Sequence, residues 1–161
     1  THCVLRNNYV AGMDLNGNST PTVSNCAFTG NGTYAIDNVP IQALAGLSGN
    51  TATNNGNGNG NFARVTVASV TGNVSVPPSA HINGAIVLET SVAIAAGGNL
   101  TLQPGTVLKM KNSGIEVTVD GTLTANGTAL NPVVFTALAD DSAGGVWRGL
   151  LEPKIATCGR A

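Results

Sequence analysis

The chain has few groups that can do acid–base or ligand chemistry. It carries eight Asp and Glu, seven Lys and Arg, two His and three Cys in 161 residues. The acids are Asp14, Asp37, Glu89, Glu116, Asp120, Asp140, Asp141 and Glu152, and only Asp140 and Asp141 are adjacent. Glycoside hydrolysis needs two carboxylates about 5–9.5 Å apart. A β-elimination needs a base beside the sugar, often with a calcium ion held by several carboxylates. Lys109, Lys111, Glu116 and Asp120 are the candidates for such work. They alternate with Leu108, Met110, Ile115, Val117 and Val119, which fill an inward set and leave the four pointing outward. The plainer reading of the same four, and the preferred one, is a solvated outer face carrying a few salt bridges.

Asp140 and Asp141 are the candidate metal ligands. Calcium takes six to eight oxygens, so with two carboxylates it would rely on carbonyls and water and be held weakly. No other cofactor is expected. The run from Asn54 to Asn61 alternates Asn and Gly without one Asp, and amides alone bring no charge to a cation; it reads as a turn or flexible loop. His2 and His81 have no second ligand at metal spacing. Cys3 and Cys26 occupy equivalent repeat positions and are expected as a stacked, reduced, apolar pair. Cys158 is left over.

Composition narrows the function classes. Charged residues are 9% and aromatic residues 4% of the chain, whereas sugar platforms and active sites draw on Trp, Tyr and carboxylates. A net charge of −1 argues against a nucleic-acid partner. No apolar run is long enough to span a membrane. The 21 Gly, 19 Asn and 18 Thr disfavour helix, while 42% hydrophobic residues can still build a core.

The elements that would position these groups are short strands in a repeat. Leu5 to Asn8, Phe28 to Asn31 and Leu47 to Asn50 each place Asn three residues after an apolar residue, at spacings of 23 and 19. Ile94, Ala96, Gly98, Leu100 and Leu102 match Val117, Val119, Gly121, Leu123 and Ala125, again 23 apart. Alternating runs such as Leu100-Thr101-Leu102 are broken by Gly97-Gly98, Pro104-Gly105, Asp120-Gly121 and Asn126-Gly127. A unit of 19–23 residues cannot bury a face alone, but stacked units can. The expectation is an all-β solenoid of roughly seven coils, with Asn forming a ladder at one corner.

The stretches "VAIAAGGNLTLQPGTVLKM" and "IEVTVDGTLTANGTALNPVVFTALADDSAGG" resemble a unit of secreted bacterial right-handed parallel β-helix proteins. "VSNCAFTGNGTYAIDN" resembles the single-coil repeat of the same pectate-lyase-like superfamily. The resemblance implies a right-handed parallel β-helix (β-solenoid) and a secreted or cell-surface location, and leaves the activity open because the fold carries many functions. The expected organisation is one β-helix segment over 1–71, an irregular connection over 72–85, a second segment over 86–147, and an atypical tail over 148–161. The ends suggest a piece of a longer protein. The preferred function is a non-catalytic extracellular scaffold for adhesion, glycan contact or self-association. The alternative is a carbohydrate-active enzyme, a lyase or hydrolase, or a fragment of one. Expected partners are a polysaccharide or cell-surface glycan, and a second copy through coil ends or flat faces.

Overall fold

The computed structural model describes residues 2–143. Its strands are two to five residues long, all pair in parallel, and each pairs with counterparts one repeat away. The longest sheet stacks Met13–Asp14, Ile36–Pro40, Ala63–Val67, Ile86–Leu88, Val107–Met110 and Val134–Ala137 in that order. Those six strands count six turns of a right-handed parallel β-helix among the described residues. Flanking sheets are shorter. Val4–Arg6, Ala27–Thr29 and Thr51–Thr53 form one, and Val23–Ser24 with Leu47–Ser48 another. Ser69–Val70, Val92–Ile94 and Val117–Val119 form a third, and Asn73–Val76, Asn99–Leu102 and Thr122–Ala125 a fourth.

Alternation builds the interior. Val74 and Val76 pair with Leu100 and Leu102, and these with Leu123 and Ala125, so like residues form columns along the axis. Val65, Ile86, Leu88, Ile94, Leu102 and Leu108 are all essentially inaccessible to solvent. Each such side chain contributes about 1.5–3 kcal/mol through burial, which is how strands too short to stand alone hold together. Val119 stacks on Ile94 in the inner set yet is 44% exposed, because no described strand lies beyond it.

Turns are longer than expected. Stacked residues are separated by 22 positions at Glu89 and Lys111 and by 27 at Asp37 and Arg64. The pairing of Leu100 with Leu123 follows the 23-residue period, but Ile94 pairs with Val119 rather than Val117. The four-residue corner Ala95 to Gly98, closed by the Gly98 N–H donating to the Ala95 carbonyl at 2.8 Å, faces a two-residue corner at Asp120 and Gly121 in the next turn. The stretch 72–85 is also not an irregular connection. It contains the strand Asn73–Val76 and the 3₁₀ turn Pro78–Ala80, and its strand joins a sheet through Asn99. Residues 148–161 and Cys158 lie outside the described residues.

Two corners explain the asparagines. In each, a residue with positive φ precedes one that turns inward. Asn7, Gly30 and Asn54 have φ of 56°, 65° and 56°, and His2, Asn25 and Gly49 have 61°, 53° and 61°. Asn tolerates this region better than most side chains. At Gly49 a Cβ would sit 2.4 Å from Asn25 Oδ1, so a side chain there would have to displace the Asn25 amide. After the first corner come Asn8, Asn31 and Asn55. Asn31 Oδ1 accepts from the Asn8 N–H at 3.1 Å and from Asn8 Nδ2 at 2.8 Å. Asn55 Oδ1 accepts likewise from the Asn31 N–H at 3.1 Å and Nδ2 at 2.6 Å. The third rung is therefore Asn55, three residues after Ala52, and not Asn50.

Asn50 belongs to the second corner with Cys3 and Cys26. Its Oδ1 accepts the Cys26 N–H at 3.0 Å, and Cys26 Sγ accepts the Cys3 N–H at 3.4 Å. Cys3 and Cys26 stack with both thiols free, but Cys3 is exposed and Cys26 Sγ is hydrogen-bonded, so the pair is not the apolar one expected. The Asn-Gly run adds to the first ladder rather than forming a loose loop. It folds as a tight turn over Asn55–Gly58 in which Gly56 and Asn57 have positive φ, and Asn61 Oδ1 accepts the Asn55 N–H at 2.9 Å.

Replacing the middle rung strands several buried groups at once. Asn31→Ala is expected to destabilise the fold by about 2–3 kcal/mol, read as a lower urea midpoint, and an unchanged midpoint would remove the ladder from the stability argument.

Candidate functional site

The outer face of the six-strand sheet gathers most of the chain's charge. Its strands place Arg64 beside Val87, Val87 beside Lys109 and Lys109 beside Thr136. Arg64 is bound to Asp37 of the preceding turn and to Glu89 of the following one, and Glu89 also accepts from Lys111. The run Asp37–Arg64–Glu89–Lys111 thus advances about one coil per step with alternating sign. Tyr34 roofs it. The Arg64 guanidinium carbon lies 4.5 Å from the Tyr34 ring centroid, Lys111 Nζ lies 5.5 Å from it, and Nζ donates to the phenol oxygen at 3.1 Å. The Tyr34 ring in turn packs against Phe62 at 5.5 Å. Asn38 donates to both Asp14 oxygens at 3.1 Å, extending the network to the first turn.

These contacts set protonation. Burial opposes charge on Glu89, but hydrogen bonds from Lys111 and Arg64 and their positive charges outweigh it and hold the carboxyl below its ordinary range. Burial likewise opposes the Arg64 and Lys111 cations, and their hydrogen-bonded partners overcome it, so both are held above their usual values. Glu89, Arg64 and Lys111 are therefore charged at neutral pH.

Lys109 behaves differently. It points to the outer face, as its alternation requires, yet it is 0% exposed. The outer face is not simply solvated, because Phe62, Ala85 and Val87 form a small apolar layer there with Tyr34, Val107 and Leu138. The segment from Ala139 to Ser142 covers the ammonium, which donates to the Asp140 carbonyl at 2.5 Å and lies 3.8 Å from Asp141 Oδ1. Burial lowers the Lys109 pKa, and Asp141 and Asp140 only partly restore it. The Asp140 carboxylate is taken up by the Ser142 hydroxyl at 2.5 Å, the Thr136 hydroxyl and the Ser142 N–H at 3.0 Å, which draw its pKa down to about 2.

The four residues singled out for catalysis are divided between two sheets. Lys109 and Lys111 extend from Val107–Met110, whereas Glu116 and Asp120 flank Val117–Val119 and are exposed. Among the described residues no group of three or more His, Cys, Asp or Glu is arranged to hold a metal. A calcium ion at Asp140 and Asp141 would have to compete with the Lys109 ammonium and with the hydroxyls already on Asp140. Asp37, Arg64, Glu89 and Tyr34 form the cluster that the sequence reading passed over. Their signal was opposite charge recurring at 22–27 residues. His81 was weighed only as a metal ligand. Its Nε2 accepts the Val107 N–H at 2.9 Å, and burial lowers its pKa to about 4.

Residues 80–161 match the family model of the pectate-lyase like β-helix domain, half of the chain. The chain belongs to this family. The match includes residues 148–161, whose composition had set them apart. No curated protein and no solved structure matches the chain. Within this pectate-lyase-like β-helix, a lysine acting as a base would need to be accessible and to have a lowered pKa. Arg64 and Lys111 are held protonated, and Lys109 is enclosed.

Two measurements test these assignments. His81 is held neutral in the fold, so its contribution is complete above its ordinary pKa of 6.5 and is lost as pH falls from 6.5 towards 4. The thermal midpoint should decline across that window, and His81→Gln, which keeps an acceptor for Val107, should flatten the decline. Lys109→Ala opens space and unties the covering segment, costing about 2–4 kcal/mol in urea unfolding. Lys109→Met, which refills the space, should cost less.

Proposed function

We propose that this chain is a non-catalytic segment of an extracellular β-helix scaffold, presenting its lateral faces for adhesion, glycan contact or self-association. One observation carries the reading. On the outer face of the long sheet, Asp37, Arg64, Glu89, Lys109, Lys111, Asp140 and Asp141 each have a protein partner. Catalytic groups need pKa values matched to proton transfer. A glycosidase acid has its pKa raised, and that of Glu89 is lowered. These groups lock successive turns together, which is what a rod requires.

The faces offer shallow, mostly neutral surfaces. A groove of about 410 Å³ is lined by Asn18, Gln42, Ser69, Thr71 and Asn73 with Val67 and Val74. Another, of about 390 Å³, runs beside Lys111 between Met110 and Phe135. Amides and hydroxyls of this kind suit hydroxyl-bearing chains.

The test is a panel of polysaccharides, including polygalacturonate and alginate, incubated with the folded protein with and without calcium. Unsaturated product is read by ultraviolet absorbance and cleavage by new reducing ends. The expected result is no product on any substrate. Product that disappears on Asp141→Ala would overturn the scaffold reading and favour a carbohydrate-active enzyme.

A further inference from the structure

The sequence contains seven Asn-Gly dipeptides, beginning at Asn16, Asn31, Asn55, Asn57, Asn59, Asn83 and Asn126. This dipeptide is chemically labile because glycine has no side chain to keep its amide nitrogen from the preceding Asn side chain. The glycine nitrogen loses its proton and bonds to the Asn Cγ, the Cγ–Nδ2 bond breaks, and ammonia leaves. Water then opens the cyclic imide to aspartate or isoaspartate. The reaction needs a glycine nitrogen free to move and an Asn side chain free to turn, and the fold grants these unequally.

Asn31 and Asn55 are held on both counts. The Gly32 N–H donates to the Asn8 carbonyl at 2.9 Å, and the Gly56 N–H to the Asn31 carbonyl at 2.8 Å. Asn31 Nδ2 donates to the Leu5 carbonyl at 3.1 Å and Asn55 Nδ2 to the Phe28 carbonyl at 2.9 Å, with both side chains buried in the ladder. Asn83 is held through Nδ2, which donates to the Ala52 and Asn61 carbonyls. For Asn59 the attacking nitrogen is occupied, since Gly60 N–H donates to the Asn55 carbonyl at 2.9 Å. Asn57 is exposed, but its backbone is set at φ 55° inside the tight turn Asn55–Gly58, which the Asn59 N–H closes on the Gly56 carbonyl at 3.1 Å.

Asn16 and Asn126 lie outside both the ladder and that turn. Both are exposed, and among the described residues neither side chain has a hydrogen-bond partner. The N–H groups of Gly17 and Gly127 also have no partner among the described residues. Gly17 stands in open space, with nothing within 4 Å of where a Cβ would lie, whereas Gly127 packs against the Pro132–Val133 backbone. Asn16 lies just beyond the strand Met13–Asp14, and Asn126 directly follows Thr122–Ala125.

We propose that Asn16 and Asn126 are sites of spontaneous modification, converting to aspartate and isoaspartate in the folded protein while the ladder asparagines Asn31 and Asn55 are preserved. Each conversion adds a negative charge to a chain whose formal net charge is −1. Isoaspartate also lengthens the backbone at the end of a strand. The same dipeptide thus has two fates: protected where it bonds turns together, reactive where it only joins them.

The experiment holds the purified chain at mildly alkaline pH and physiological temperature, in buffer and in parallel in urea, and follows each Asn-Gly peptide by mass spectrometry. In the folded sample, conversion at Asn16 and Asn126 should run at least about tenfold faster than at Asn31 and Asn55, because the latter must first open locally. In urea the four rates should converge. A variant carrying Asn16→Gln and Asn126→Gln, with its fold checked by circular dichroism, should lose the fast release of ammonia. Equal rates at all four sites in the folded protein would overturn the proposal, as would intact Asn16 and Asn126 beside conversion in urea. Fast ammonia release that persists in the double variant would overturn it too.

Discussion

Parallel stacking in register, at the spacing between neighbouring strands, is the constraint on which this structure depends. Every residue meets its counterpart one turn along at about 4.8 Å, so a choice at one position is tested against the same position in two neighbours. Like apolar residues survive this test easily. Val74, Leu100 and Leu123 form a column, as do Val70, Ile94 and Val119. Like charges do not, because repulsion at that distance recurs with every coil.

The outer face shows two answers to that constraint. Along the long sheet the chain alternates sign, so Arg64 lies between two carboxylates and Glu89 between two cations. At the corners it uses the neutral amide, which donates to one side and accepts from the other. Asn31 satisfies both neighbours in this way, reaching Asn8 on one side and Asn55 on the other. Cys26 fills the equivalent place in the second corner with a sulfur acting as a weaker acceptor. The low charge of the chain follows from the geometry: few positions can carry a charge when each must be answered one turn away.

The same arrangement bears on function. The charged groups of the long sheet pair with one another and join successive turns. The family match over residues 80–161 agrees with the fold and leaves the chemistry open. Lys109 illustrates why position on a sheet face does not decide accessibility. Its alternation sends it outward, and the segment around Asp140 then encloses it.

The sequence by itself determined the β-solenoid, the inward set and the presence of an asparagine ladder. These follow from period-2 alternation, turn dipeptides and a repeat near 23 residues, all local or nearly local signals. It did not determine the register. Ile94 slips by two residues to Val119, and the third rung moves from Asn50 to Asn55, because corners of unequal length change the coil period without disturbing the strands. The Arg64 cluster was invisible for the same reason, since its members are joined only when the intervening corners are counted correctly. The burial of Lys109 was decided by tertiary structure alone, because strand alternation names a face and cannot say what covers it.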